Sequence, residues 1–316
     1  MKKITAIIKK RLNIKSYEPL SSTLPKKWRL FYGPKIYKRK FSIEELMAEI
    51  IKCGIKPGSN VLIHCSWNEM YNFTGTESQL IQAILDLIGP EGTLMMPAYP
   101  LLSKGKLFNV NRSITAAGTL AETFRRWSGV KRSCNVIHSC CAIGPASDYL
   151  LSEHHLSDNC WDEKSPYYRF TQINGTVLSL GMHKYYVGTI VHCVEGTLYK
   201  SNPYFASFFD LQSRKEYQYI DSEGQICSYF SYAENDRIIR KNKYFVGLRI
   251  VRRYFDKRYY QCRKLSNLII NSVDANYAFN RLVELSKSGI VYYSLPKYKK
   301  NHERKIFGFN TRNSGN

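Results

Sequence analysis

Pro57-Gly-Ser-Asn-Val-Leu-Ile-His-Cys-Ser66, followed by Thr76-Glu-Ser-Gln79 and by Gly89-Pro-Glu-Gly-Thr-Leu-Met-Met-Pro97, is the stretch that decides the fold. Pro57-Gly58 is a turn signal. Residues 61–66 form a short apolar run of the kind found in strands buried on both faces. Thr76 and Gln79 stand at capping-box spacing, and Leu80, Ile81, Ile84, Leu85 and Ile88 recur at helical intervals until Gly89-Pro90 ends the pattern. A second apolar run, 92–97, comes next. Strand, helix and strand within about 40 residues predict a right-handed crossover between parallel strands.

The alternation continues outward. Ser42-Ile-Glu-Glu45 is another capping box, with Ile43, Leu46, Met47, Ile50 and Ile51 at helical spacing and Gly54 as the stop. Helices are predicted over 118–127, 146–153, 165–170, 189–198 and 276–288, and strands over 136–143, 177–180 and 290–295. Residues 206–230 alternate, with Asp221-Ser-Glu-Gly224 as a hairpin loop, and 237–270 are basic and ambiguous. Residues 1–40 contain Pro19, Pro25 and Pro34, lack clean periodicity and read as a basic arm, and the tail from Pro296 reads as frayed. No repeat or long linker interrupts the chain. The expectation is one α/β domain over 1–316: an arm (1–40), a catalytic core (41–198) and a basic C-terminal subregion (199–316).

The 316 residues are 44% hydrophobic and 14% aromatic, the composition of a folded protein. No run approaches the roughly 18 apolar residues of a membrane span, and the N-terminus lacks a signal-peptide core. The nine cysteines show no C-x-x-C spacing. Cys140 and Cys141 are adjacent and would point to opposite faces of a strand, so no metal site is expected. Reduced thiols fit a cytoplasmic protein.

The net charge of +22 is concentrated at the ends. Residues 1–40 carry +12, residues 240–316 carry +14, and residues 41–239 carry −4. Basic ends can meet nucleic acid, a membrane surface or a polyanionic small molecule. Nucleic acid is not expected, because no recognition motif is present and the charge flanks the body.

Within that body, His192 and Glu195 lie three residues apart in an apolar helical pattern, with Thr189 one turn earlier. A carboxylate one turn away can hold an imidazole in one tautomer and raise its basicity. His155 lies in a polar loop before Ser165-Pro166. His138 and Ser139 fall on the strand predicted over 136–143, so their side chains would diverge, which argues against a Ser-His dyad; the same reasoning removes His64-Cys65. The loop 66–75 leads into a helix N-terminus, a place where phosphate can bind.

These pieces together resemble the aminoglycoside 3-N-acetyltransferase family over roughly residues 43–198. The resemblance rests on Pro57-Gly58, residues 61–66, residues 89–97 and Gly118-Thr-Leu-Ala-Glu-Thr-Phe-Arg125. It continues through Arg132-Ser133, His138-Ser139 with Gly144, His155 ahead of Ser165-Pro166, residues 177–181, and Thr189-x-x-His192-x-x-Glu195. The chain departs at Asn135-Val136, where the family usually shows His-Pro. It departs again at Gly188-Thr189, where Asn-Thr is usual, and after the first loop, where Gly75 and Thr76 replace a Gly-Gly.

The resemblance implies a central mixed β-sheet flanked by helices with a C-terminal α+β extension. It also implies direct acyl transfer from acetyl-CoA to an amine, without metal. His192, oriented by Glu195, is assigned as general base, with His155 close by as the alternative, and Ser139 or a backbone N–H would stabilise the oxyanion. Ser66, Trp67, Phe73, Gly75, Thr76, Tyr99, His138 and Ser139 would hold the coenzyme.

The family name implies a polycationic antibiotic as acceptor, conferring resistance. The charge of +22 instead favours an anionic acceptor. The expectation is therefore a nucleotide-diphosphate amino sugar of surface polysaccharide synthesis, with Arg249, Arg252 and Arg253 holding its phosphates. The basic N-terminus could touch a membrane surface. The oligomeric state is left open.

Overall fold

The computed structural model describes residues 20–103, 105–235, 244–245 and 247–294. The first helix, α1 (Leu20–Ile36), falls where the sequence reads as an aperiodic arm. α2 (Ile43–Lys52) follows, capped reciprocally by Ser42 and Glu45 as the spacing predicts. β1 (Asn60–Cys65), α3 (Glu77–Ile88) and β2 (Thr93–Pro97) form the expected crossover, and Thr76 and Gln79 make the second capping box. β1 and β2 run parallel, with Val61 opposite Leu94.

The remaining elements are β3 (Phe108–Asn109), α4 (Thr119–Arg125), β4 (Lys131–Arg132), β5 (Cys140–Ile143), α5 (Ser147–Leu151), α6 (Pro166–Phe170), β6 (Gly175–Leu180), α7 (Val191–Leu198) and α8 (Pro203–Ala206). Then come β7 (Phe209–Ile220), β8 (Ile226–Glu234), β9 (Tyr244–Phe245), α9 (Gly247–Tyr254), β10 (Tyr260–Leu265), β11 (Leu268–Asp274), α10 (Ala275–Lys287) and β12 (Tyr293–Ser294).

Seven strands make the main sheet in the order β10-β11-β6-β1-β2-β5-β4. β6, β1 and β2 are parallel at its centre, and β11 and β5 pair antiparallel on either side, so the sheet is mixed as expected. Alternation along β1 explains the layers. Leu62 faces a core built with α7 and α10, through Val191, Val194, Phe279 and Leu282. Val61 and Ile63 face the opposite core, with Leu46 and Ile50 of α2 and Leu80, Ile84 and Ile88 of α3. Both sheet faces are therefore covered, which is why the central strands read as continuous apolar runs.

β7 and β8 form the hairpin predicted around residues 221–224 and make a separate sheet with β3. β10 and β11 join the central sheet and α10 packs on it, so the C-terminal segment contributes to the core.

Two predicted strands are much shorter. Residues 136–139 form a turn, and only Cys140–Ile143 pair. Among the described residues 290–294, only Tyr293–Ser294 pair, with β9. The tail expected to fray lies outside the described residues.

Candidate active site

β6, β1 and β2 end together, and the chain leaves β1 toward β2 on one side while β6 lies on the other. Ligands of open α/β sheets bind at the carboxyl ends of strands where the order reverses in this way. A cavity of about 200 Å³ opens there, lined among others by His64, Ser66, Met96, Tyr99, Met182 and Tyr186. Ser66 and Tyr99, two of the expected coenzyme-binding candidates, thus line the same cavity. Trp67 and Phe73 instead pack edge to face at 6.0 Å against the core of α2 and α3. Gly75 lies against the Phe73 ring, and Thr76 accepts from Gln79 N as a helix cap.

His64 is the inner end of this cavity. It lies on the same side of β1 as Leu62, whereas Cys65 packs into the opposite core. Its Nε2 accepts from the backbone N–H of Thr189 at 3.3 Å. Gly188 makes this approach possible: its φ is +84°, and a Cβ there would stand 2.8 Å from His64 Nε2. Burial, and secondarily the charge of nearby His192, lower the His64 pKa to about 3, so the ring is neutral.

Thr189 leads into α7, which carries His192 and Glu195. His192 Nδ1 lies 3.1 Å from Glu195 Oε1, and Glu195 is only 4% exposed. The pair meets as the spacing predicts. The His192 ring stacks on Trp161 at 4.7 Å and 29°. α7 comes this close because residue 196 is glycine: a Cβ there would meet the Trp161 backbone and side chain at 2.7 Å. Asn159 ties the contact, donating to Gly196 O and accepting from Trp161 N. The preceding residue, Cys160, takes a left-handed φ of 71°, a backbone strain that aims Trp161.

On the other side of Trp161 lies His138, 4.2 Å away between ring centroids. Glu234, at the end of β8, accepts from Trp161 Nε1 at 2.8 Å and bonds His138 Nε2 at 3.1 Å through the same oxygen. Burial pushes the Glu234 carboxyl up. The charge and hydrogen bond of His138, the Trp161 N–H and the charge of His192 outweigh that, and its pKa falls to about 2. An indole thus sits between two imidazoles, each bound to a carboxylate.

Several expectations need correction. His138 and Ser139 are in a turn rather than a strand, so alternation does not govern them. Ser139 is buried and its hydroxyl donates to Ala98 O at 2.8 Å while accepting from Arg132, which removes it as an oxyanion donor. His155 does not join the cluster. It sits in the 3-10 turn His154–Leu156 with Nδ1 unpaired, and its charged neighbours are Glu153 and Lys164. Arg252 and Arg253 are exposed on α9, and the side chain of Arg249 lies outside the described ones. The charges against the imidazoles are carboxylates.

Sequence reasoning missed Trp161 and Glu234 and considered His64 only as part of a dyad. Glu234 is 42 residues from His192 along the chain, on a strand whose alternation marks no special position.

A profile of the aminoglycoside 3-N-acetyltransferase family matches residues 62–241. The chain belongs to this family. It is 30% identical over 139 residues to aminoglycoside N(3)-acetyltransferase IV from Salmonella sp, a match covering 44% of this chain and 52% of that protein. The chain spans about half the length of the curated relatives it matches. In three dimensions it is similar to the aminoglycoside acetyltransferase AAC(3)-Xa, with a TM-score of 0.65 and 18% identity over 84% of this chain and 99% of the other. It is also similar to AAC-IIIb in its binary complex with CoASH, with a TM-score of 0.63 and 20% identity over 81% of this chain and 99% of the other. These likenesses establish the fold.

They also overturn the expected acceptor. The relatives are aminoglycoside acetyltransferases, and nothing in them supports a nucleotide-linked amino sugar or surface polysaccharide synthesis. The net charge misled because it sits at the chain ends, while the site itself holds Glu195 and Glu234.

Proposed function

We propose that this protein transfers the acetyl group of acetyl-CoA to an amine of an aminoglycoside, directly and with His192 as general base. The observation that carries this reading is the His192–Glu195 pair stacked on Trp161. With Nδ1–H donated to Glu195, Nε2 is the basic nitrogen, and the buried carboxylate stabilises the imidazolium formed when it takes a proton. Membership of the family and the likeness to AAC-IIIb bound to CoASH support coenzyme A as donor.

In this reading the thioester enters along the cavity at the ends of β1 and β2, past Ser66 and Tyr99, and reaches the His64 end. The acceptor amine loses its proton to His192 Nε2 as its nitrogen attacks the thioester carbonyl. The tetrahedral intermediate collapses by breaking the carbon–sulfur bond, and the proton returns from His192 to the departing thiolate. Neutral His64 places no positive charge beside the amine. Glu195 and Glu234 favour a cationic acceptor by their sign. Residues 41–198 carry the chemistry, and β8 adds the acceptor-side carboxylate Glu234.

The test is release of free thiol from acetyl-CoA in the presence of an aminoglycoside. His192→Asn is expected to lower kcat by roughly 10²–10⁴-fold while leaving coenzyme affinity unchanged. No thiol release with any aminoglycoside would reject the acceptor, and a variant rate near wild type across the pH range would reject the base.

A further inference from the structure

Helix α1 lies outside the segment matched by the family profile, and one face of it is apolar and open. Leu24, Trp28, Phe31, Tyr32 and Ile36 fall on that face at helical spacing. Trp28 is 60% exposed, Phe31 61% and Ile36 62%. Two neighbouring positions seat the helix on the body. Arg29 donates to Glu69 Oε1 through Nε at 2.9 Å and Nη2 at 2.7 Å. Gly33 is buried so closely that a Cβ would meet the Tyr71 hydroxyl at 2.5 Å. Just beyond the helix, Asn72 holds the carbonyl of Tyr37 at 2.8 Å. The body therefore fixes which face of α1 turns outward.

Lysines stand within and around the stripe. Lys35 Nζ lies 4.2 Å from the Phe31 ring centroid and 5.5 Å from that of Tyr32, its stem along the aromatic surface and its charge beyond it. Lys38, Lys40 and Lys264 are exposed nearby, and Lys264 stands over the Tyr37 ring at 4.4 Å. Residues 20–40 hold seven basic and no acidic side chains.

We infer that α1 seats the protein on an anionic lipid surface, lying in the plane of the headgroups with Trp28, Phe31 and Ile36 inserted. Aromatic side chains flanked by lysines match the layered polarity of that interface, and each cation near an anionic surface adds to the attraction. A second copy of the chain is disfavoured as the occupant, because it would bring two such basic surfaces together. The inference does not depend on the acyl-transfer reading.

The full-length protein is to be sedimented with phosphatidylcholine vesicles, with and without phosphatidylglycerol. Binding is expected only with phosphatidylglycerol and is expected to weaken in high salt. The Trp28→Ser/Phe31→Ser variant is expected to lower partitioning by about tenfold or more, with an unchanged melting temperature and unchanged thiol release. Three outcomes overturn the inference: no binding to phosphatidylglycerol vesicles, equal binding by the variant, or a dimer seen by light scattering that the variant dissolves.

Discussion

β1 and the segment leading into α7 touch at His64 and Thr189, yet the strand and the helix are built by different rules. β1 is specified by its own sequence: an apolar run between turn signals, buried on both faces, pairing in parallel with β2 and β6. The site around α7 is specified by almost nothing local. Trp161 comes from an irregular segment and Glu234 from a strand in another sheet. His138 comes from a turn, and only His192 and Glu195 share an element. The difference teaches that burial holds the scaffold while a few close polar and ring contacts hold the candidate site. Damage to one should therefore be separable from damage to the other.

The largest effect expected on the scaffold side is from Leu62→Ala. Leu62 is fully buried at the centre of β1, and the change should lower unfolding stability by about 2–5 kcal/mol in urea titration. The kcat of the folded protein should change far less. If kcat falls in step with stability, the two regions are not separable.

Glu195→Gln reverses the pattern. The amide keeps the shape but loses the charge proposed to fix the His192 tautomer, so kcat should fall by roughly 10²-fold with little change in urea midpoint. A large loss of stability with intact kcat would make Glu195 a packing residue.

A third effect, read only as stability against pH, sharpens the contrast between histidines. His154 is fully buried, with Nδ1 2.8 Å from Ser133 Oγ and Nε2 3.3 Å from the Cys160 carbonyl. Burial lowers its pKa from 6.5 to about 3. The unfolded chain takes up a proton below 6.5 while the folded state does not until about 3. Stability is thus fully present above pH 6.5 and falls as the pH drops toward 3, by up to about 1.4 kcal/mol per unit. His154→Gln should flatten that part of the profile, and an unchanged slope would show that other groups set it.

The same contrast explains what could be read from the sequence. The two capping boxes, the crossover and the hairpin at 221–224 are local patterns, and the structure has them. His192 and Glu195 could be paired because one helical turn separates them. α1 was hidden because Pro25 and Pro34 and an outward apolar face break the usual signature of a buried helix. The turn at 136–139 was hidden because its residues look like those of a strand; it is held by Asn135 Oδ1 accepting from the N–H groups of Ile137 and His138. Glu234 and Trp161 carry no periodic signal, since only the assembled fold brings them beside the imidazoles. The acceptor was misjudged because a sum over the whole chain does not report the sign of charge at one site.

Gly196 has a consequence for how such a protein can change over generations. The residue that lets α7 approach Trp161 is the immediate neighbour of Glu195, which bonds the imidazole proposed as the base. A lineage that gains any side chain at 196 must shift the helix, and with it the imidazole. On the proposed mechanism, drift in packing and drift in catalysis are therefore tied at this position.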